Sequence, residues 1–228
     1  AIIALENGVD GLCFSDPHDL DTLLAGIPIE KVQINFIRYK KEFVREWSNY
    51  ASGRKVYGAF MDLEQHNILN YHSSIIVKGE TAQDQIAYAL NKGLENQENI
   101  QFFFNVNSNF FLEIAKLKAF RILWKNKTGR DPLIFCQTSK KNKESEFEYN
   151  NIIRNTTECM SAIFGGANSI LINSYTNNTT DFSRRLCEHQ QYILKNESFL
   201  DKVIDPTKGS YYVEYLISQL LNIYNLRS

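Results

Sequence analysis

The run DPLIFCQTSKKNKESEFEYNNIIRNTTECMSAIFGGANSILIN, Asp131 to Asn173, constrains the fold more than any other stretch. LIFCQ (Leu133–Gln137) is a short apolar run of the kind a sheet buries on both faces. The segment after the polar loop predicts a helix, with Ile152, Ile153, Thr156, Cys159, Met160, Ile163 and Phe164 in one broad sector of a 3.6-residue wheel. Gly165-Gly166 predicts its end, because glycine takes the left-handed cap without a Cβ clash. SILIN (Ser169–Asn173) is then a second strand. A strand, a helix and a strand joined by short connections form a right-handed crossover, so the two strands run parallel.

The same alternation extends along the chain. Apolar runs predict strands at Gly11–Phe14, Val32–Phe36, Val56–Phe60, Ser74–Val77, Ile100–Val106, Leu133–Gln137, Ser169–Asn173 and Lys202–Pro206. Between them lie helical patterns: Asp19–Ala25, Arg38–Ala51, a short turn at Glu64–Leu69, a helix capped by Thr81, and Asn109–Lys127 with Phe111 and Ile122 on its buried side. Phe182–Glu197 and a last helix from about Ser210 complete the series. Eight strands alternating with eight helices predict an α/β fold, a (β/α)8 TIM barrel of parallel strands, formed as one domain over residues 1–228. An open dinucleotide-binding sheet calls for GxGxxG after an early strand, and the chain has none.

Composition narrows function less than fold. The chain has 228 residues, 43% hydrophobic, enough for a substantial core. A net charge of -1 gives no basic face for nucleic acid or a membrane surface, and the cluster Lys140, Lys141, Lys143 reads as a solvated loop. The four cysteines (Cys13, Cys136, Cys159, Cys187) stand apart, without CxxC or Cys/His spacing. They read as reduced core thiols of a cytoplasmic chain, not metal ligands. The chain opens inside a helical pattern, as a fragment of a longer one would.

Barrel enzymes keep their chemistry at the strand C-termini. The polar residues there are Asn35, Asp62, Asn105, Asn107, Gln137, Asn173 and Asp205. Asp62 and Asp205 end strands that are not neighbours, so they do not make a convergent carboxylate pair. Asp205, in DPTKGS, is explained by turn chemistry. His66 and His72 lie six apart on what reads as a loop, and not at the HExxH spacing that aims two imidazoles at one metal. His18 and His189 read as surface residues. No GxSxG elbow is present.

Longer motifs carry a resemblance. LIFCQTS, YNNIIRNT (Tyr149–Thr156), IFGGANSILINS (Ile163–Ser174), KVIDPTKGSYYVE (Lys202–Glu214) and NFFLEIAKLKAFRILW (Asn109–Trp124) stand in the order and spacing of one family. The chain resembles the barrel domain of the cobalamin-dependent acyl-CoA mutases, methylmalonyl-CoA mutase above all. That resemblance implies a substrate barrel whose axis, in catalytic chains, admits the CoA tail beneath the corrin of adenosylcobalamin.

Where the family is catalytic, this chain departs from it. The family's GYHMQEAG falls on His72–Gly79, which puts Ser74 at the catalytic histidine. TIQND falls on Gly58–Asp62, with Phe60 for the substrate glutamine. RTHSQTSGWS falls on Leu133–Asn142, with Leu133 for arginine and Phe135 for histidine; Gln137, Thr138 and Ser139 remain. SLHTN falls on Ser169–Asn173, with Leu171 and Ile172 inside it. The corrin-binding DxHxxG begins at Asp16 and His18, but Asp21 stands where glycine is needed. The resemblance therefore implies a non-catalytic small subunit that supports a catalytic large subunit in a heterodimer and itself holds no cobalamin. Gln137, Ser74 and Asn173 are the remnants of the substrate-binding positions. A divergent barrel still binding an acyl-CoA, and a stand-alone adaptor, are the alternatives.

Overall fold

A computed structural model describes residues 1–61, 68, 71–96 and 99–227, the side chains of 225–227 excepted. Its order is α1 (Ile2–Glu6), β1 (Gly11–Ser15), α2 (Leu20–Leu24), β2 (Gln33–Ile37), α3 (Lys41–Ala51), β3 (Tyr57–Phe60) and β4 (Tyr71–Ile76). There follow α4 (Ala82–Glu95), β5 (Ile100–Val106), α5 (Phe110–Thr128), β6 (Ile134–Thr138), α6 (Asn150–Phe164), β7 (Ser169–Leu171), α7 (Asp181–Tyr192), a π-helical turn at Ile193–Glu197, and α8 (Tyr211–Arg227). The seven strands lie in sheet order as they do in sequence. The pairs β1–β2, β2–β3, β3–β4, β5–β6 and β6–β7 are all parallel. This is the α/β plan of a TIM-type barrel, with seven of its strands formed among the described residues. The predicted helix at Glu64–Leu69 falls outside the described residues except for Ile68.

The chain forms two compact units, 1–76 with 96–101, and 77–95 with 102–228. In the first, α3 spaces Phe43, Trp47 and Ala51 four residues apart, which stacks them on one helix face. They meet Phe36, whose ring lies 4.8 Å from Phe43 and 4.9 Å from Trp47. Phe60 sits beside Phe36 in register and joins the same cluster, 5.0 Å from Tyr71. Gly58 is required here: it has φ 148°, and a Cβ on it would lie 1.7 Å from the Ile34 carbonyl oxygen, which also accepts the Tyr71 hydroxyl.

In the second unit α5 is packed by α4, α6 and α8, so its middle is buried nearly all round. Phe102 and Phe104 of β5 face it through Phe120 and Trp124, at centroid distances of 4.7–5.1 Å. The sequence placed Phe111 and Ile122 on the buried side, yet both are exposed, and Glu113 and Lys116 are buried instead. The two are ion-paired, and the Lys116 ammonium also donates to Gln85 Oε1 (2.8 Å) and the Asn105 carbonyl (3.1 Å). A buried charge is tolerable when it is so satisfied.

The predicted eighth strand is not one in this structure. Lys202–Ile204 are bends, and Val203 and Ile204 are 57% and 104% exposed. Asp205 takes the segment into a turn, accepting from the Thr207 amide (3.1 Å) and from Lys118 Nζ (2.5 Å), and Pro206 has no amide to give a ladder. The turn reading of Asp205 is thus the one the geometry follows.

Candidate functional site

Cross-strand register sorts the second unit's side chains onto two faces. Phe103 pairs with Phe135, Asn105 with Gln137, and Gln137 with Leu171, so these share the face turned away from α5. Their alternate neighbours Phe102, Phe104 and Cys136 face the helices. Phe135 is 3% exposed, and its ring stacks on Phe103 at 5.2 Å with 14° between planes. Leu171 occupies the same face but is only half-buried. Phe60, grouped with them by motif position, belongs to the first unit, where it packs with Phe36 and Tyr71 on the α3 side.

At the C-terminal ends of these strands the polar residues close on one another. Gln137 Nε2 donates to Asn173 Oδ1 at 2.6 Å. The Asn173 amide N–H donates to Thr138 Oγ1 at 2.9 Å, and its side-chain amide donates to the Thr138 carbonyl. Asn155 Nδ2 on α6 donates to the Asn173 carbonyl at 2.8 Å. Gln137 and Asn173 are therefore brought together, as their motif positions anticipate. Gln137 is the half-exposed member; Asn173 is buried.

Sequence reasoning missed the group beside them. Glu158, whose side chain is 0% exposed, accepts from the Ser139 amide (2.9 Å), Asn142 Nδ2 (2.5 Å) and Lys143 Nζ (3.0 Å). Lys143 is thus a buried partner and not a solvated loop lysine; burial lowers its pKa and the bond to Glu158 opposes that. The signal was a polar stripe, Asn151, Asn155 and Glu158, at helical spacing. It is this stripe that α6 buries, while Ile153 faces solvent. Asn151 and Asn155 satisfy the Glu144, Tyr175 and Asn173 carbonyls in the loops that follow β6 and β7. Gly166, not Gly165, supplies the left-handed turn after α6.

The other remnant, Ser74, belongs to the first unit. It is fully buried in β4, and its hydroxyl donates to Gln101 Oε1 at 2.9 Å. His72 lies in β4 as well, not on a loop, and burial holds its imidazole below the usual 6.5. Above that pH both folded and unfolded chains are neutral there. As pH falls through 6.5 the unfolded chain takes the proton first, so stability drops until the folded imidazole also protonates. A His72→Gln variant should therefore lose less melting temperature than the parent between about pH 7.5 and about pH 5. Equal losses would show that His72 is not responsible. Asp62 and His66 lie outside the described residues.

The rim is equipped to hold a polar group by amide and hydroxyl hydrogen bonds. Its carboxylates and ammonium groups are engaged in pairs, Glu158 with Lys143, Glu113 with Lys116 and Asp205 with Lys118. Burial pushes the Cys159 thiol up to about 12 and those of Cys13 and Cys187 to about 11, with Cys136 higher still. Burial of this kind disfavours the thiolate that a nucleophile needs. Among the described residues no three His, Cys, Asp or Glu side chains gather as a metal site, and no helix is long and apolar enough to cross a membrane.

Comparison with known proteins adds to this geometry. Residues 77–224 match the profile of the family described as methylmalonyl-CoA mutase. The chain is 32% identical over 219 residues to the methylmalonyl-CoA mutase small subunit of Porphyromonas gingivalis, covering 82% of this chain and 35% of that one. It is 39% identical over 153 residues to a methylmalonyl-CoA mutase of Rhizobium meliloti, covering 60% and 22%. Against the human mitochondrial enzyme it is 33% identical over 181 residues, covering 68% and 24%. The chain thus spans 22% to 35% of the length of these relatives.

Proposed function

Because this chain belongs to the methylmalonyl-CoA mutase family, we propose that it is the barrel domain of a small, non-catalytic subunit, supporting a catalytic large subunit that interconverts methylmalonyl-CoA and succinyl-CoA. The observation that carries this reading is Phe135. It stands at the position of a family histidine, and its ring is buried in a stack with Phe103. A phenyl ring there gives apolar contact and neither binds a carboxylate nor moves a proton. Ser74, at the catalytic histidine's position, is occupied with Gln101 and lacks a group that titrates near neutrality.

The residues present do not fit a corrin. Where the family's loop would begin, Asp16 faces the Ser15 hydroxyl (2.9 Å) and Arg38 (3.5 Å), and Asp19 caps α2 by accepting from the Thr22 hydroxyl. Adenosylcobalamin would belong to the large subunit. The acyl-CoA-binding alternative rests on Gln137, Ser74 and Asn173 as polar contacts, of which Gln137 is the half-exposed one.

Co-expression with a large mutase chain should yield a stable one-to-one complex, whereas an adaptor unrelated to it would purify alone. Titration calorimetry on the isolated chain should show no binding of adenosylcobalamin or methylmalonyl-CoA at micromolar concentrations. Micromolar affinity for the CoA ester, about -8 kcal/mol, would restore the enzyme reading.

A further inference from the structure

At the N-terminal ends of β2 and β3, within the first unit, a cavity of about 340 Å³ lies between the loop entering β2 and the end of α3. It is a shallow depression open to solvent, so it would cover only one side of a ligand. Ile27 and Ile29, both buried, give it an apolar floor, and Tyr50, Arg54, Lys31 and Glu30 stand round it. The Arg54 guanidinium is already ordered, its carbon 4.1 Å from the centre of the Tyr50 ring. Tyr50 in turn stacks on the buried Trp47 at 5.9 Å, so the platform is anchored in the core.

Two donor groups at this cavity are unspent. Among the described residues neither Arg54 nor Lys31 has a side-chain hydrogen bond or ion pair. A planar guanidinium fixed by stacking loses little entropy on pairing with an oxyanion, and it presents a fork of donors to it. Glu30 offsets part of this charge and also lies near the neighbouring Lys55 ammonium, so the site keeps a positive field that favours an anion. A surface arginine on a tyrosine is commonly packing alone. Packing alone does not require an open apolar floor flanked by two unpaired cations.

We propose that this cavity binds a small organic anion with a flat apolar body, its charge a phosphate or a carboxylate held by Arg54 and Lys31. This site is independent of the strand C-terminal rim and of the subunit role proposed above. The test is chemical-shift titration of the intact chain with AMP for the phosphate source and 2-naphthoate for the carboxylate source. Adenosine and inorganic phosphate serve as controls.

One or both anions should saturate at or below about 1 mM, and the controls should bind at least tenfold more weakly. Which anion saturates identifies the source. Arg54→Ala should weaken binding about tenfold or more, and Arg54→Lys, which keeps the charge but loses the stacked fork, should not restore it. Arg54 is exposed, and a circular-dichroism melt will show that both variants fold. Failure of both anions to saturate by about 5 mM, equal binding of either control, or unchanged affinity in Arg54→Ala would overturn the proposal.

Discussion

Replacing Glu158 by alanine is expected to destabilise the chain by about 3–5 kcal/mol, the cost of stripping one partner from a buried ion pair. The carboxylate holds three donors at once: the Ser139 amide, the Asn142 side chain and the Lys143 ammonium. Without it the ammonium must drag the 139–144 loop toward water or stay buried without its counter-charge. Since folded domains are stable by only about 5–15 kcal/mol, urea unfolding should register a large drop in midpoint. The double variant Lys143→Met/Glu158→Leu should recover part of that loss, because an apolar pair avoids the desolvation of both charges, although the Ser139 amide is still left without its acceptor. A single-variant loss under about 1 kcal/mol would mean that the pair is effectively solvated.

Phe135→Ala should cost about 3–5 kcal/mol, the range for truncating a buried phenylalanine. The ring is 3% exposed and stacked on Phe103, so its removal leaves a void against a partner that cannot follow it. A Phe135→His variant, which restores the family's residue, should also destabilise, by burying imidazole nitrogens on an apolar ring. It should not confer binding of a CoA ester, because Leu133 and Leu171 remain apolar where the family resemblance implies polar groups. A near-neutral melt for Phe135→Ala would remove the packing argument and leave Ser74 as the main evidence against catalysis. Measurable acyl-CoA binding by Phe135→His would instead show that one side chain blocks an otherwise competent site.

The sequence by itself determined the alternation of strands and helices, because that information is local. Period-2 and period-3.6 apolar patterns, Gly129 at φ 72° after α5 and Thr81 at the head of α4 each act within a few residues. It also determined that Gln137 and Asn173 would meet, since a strand's length and a crossover's hand fix which residues reach the same rim. Which face α6 buries was decided only by the tertiary structure. An apolar sector predicts the buried side when the partner surface is apolar, but α6 packs against the loops after β6 and β7, whose carbonyls need donors. Asn151, Asn155 and Glu158 therefore go inward and Ile153 goes out. Lys143 looked solvated for the same reason, because its partner stands fifteen residues away, on α6. The eighth strand failed on a non-local condition as well. A run such as KVIDP has strand character in any chain, but a strand forms only where a neighbour offers its edge. Here Lys118 and Thr207 claim Asp205 for a turn, and Val203 and Ile204 are left facing water.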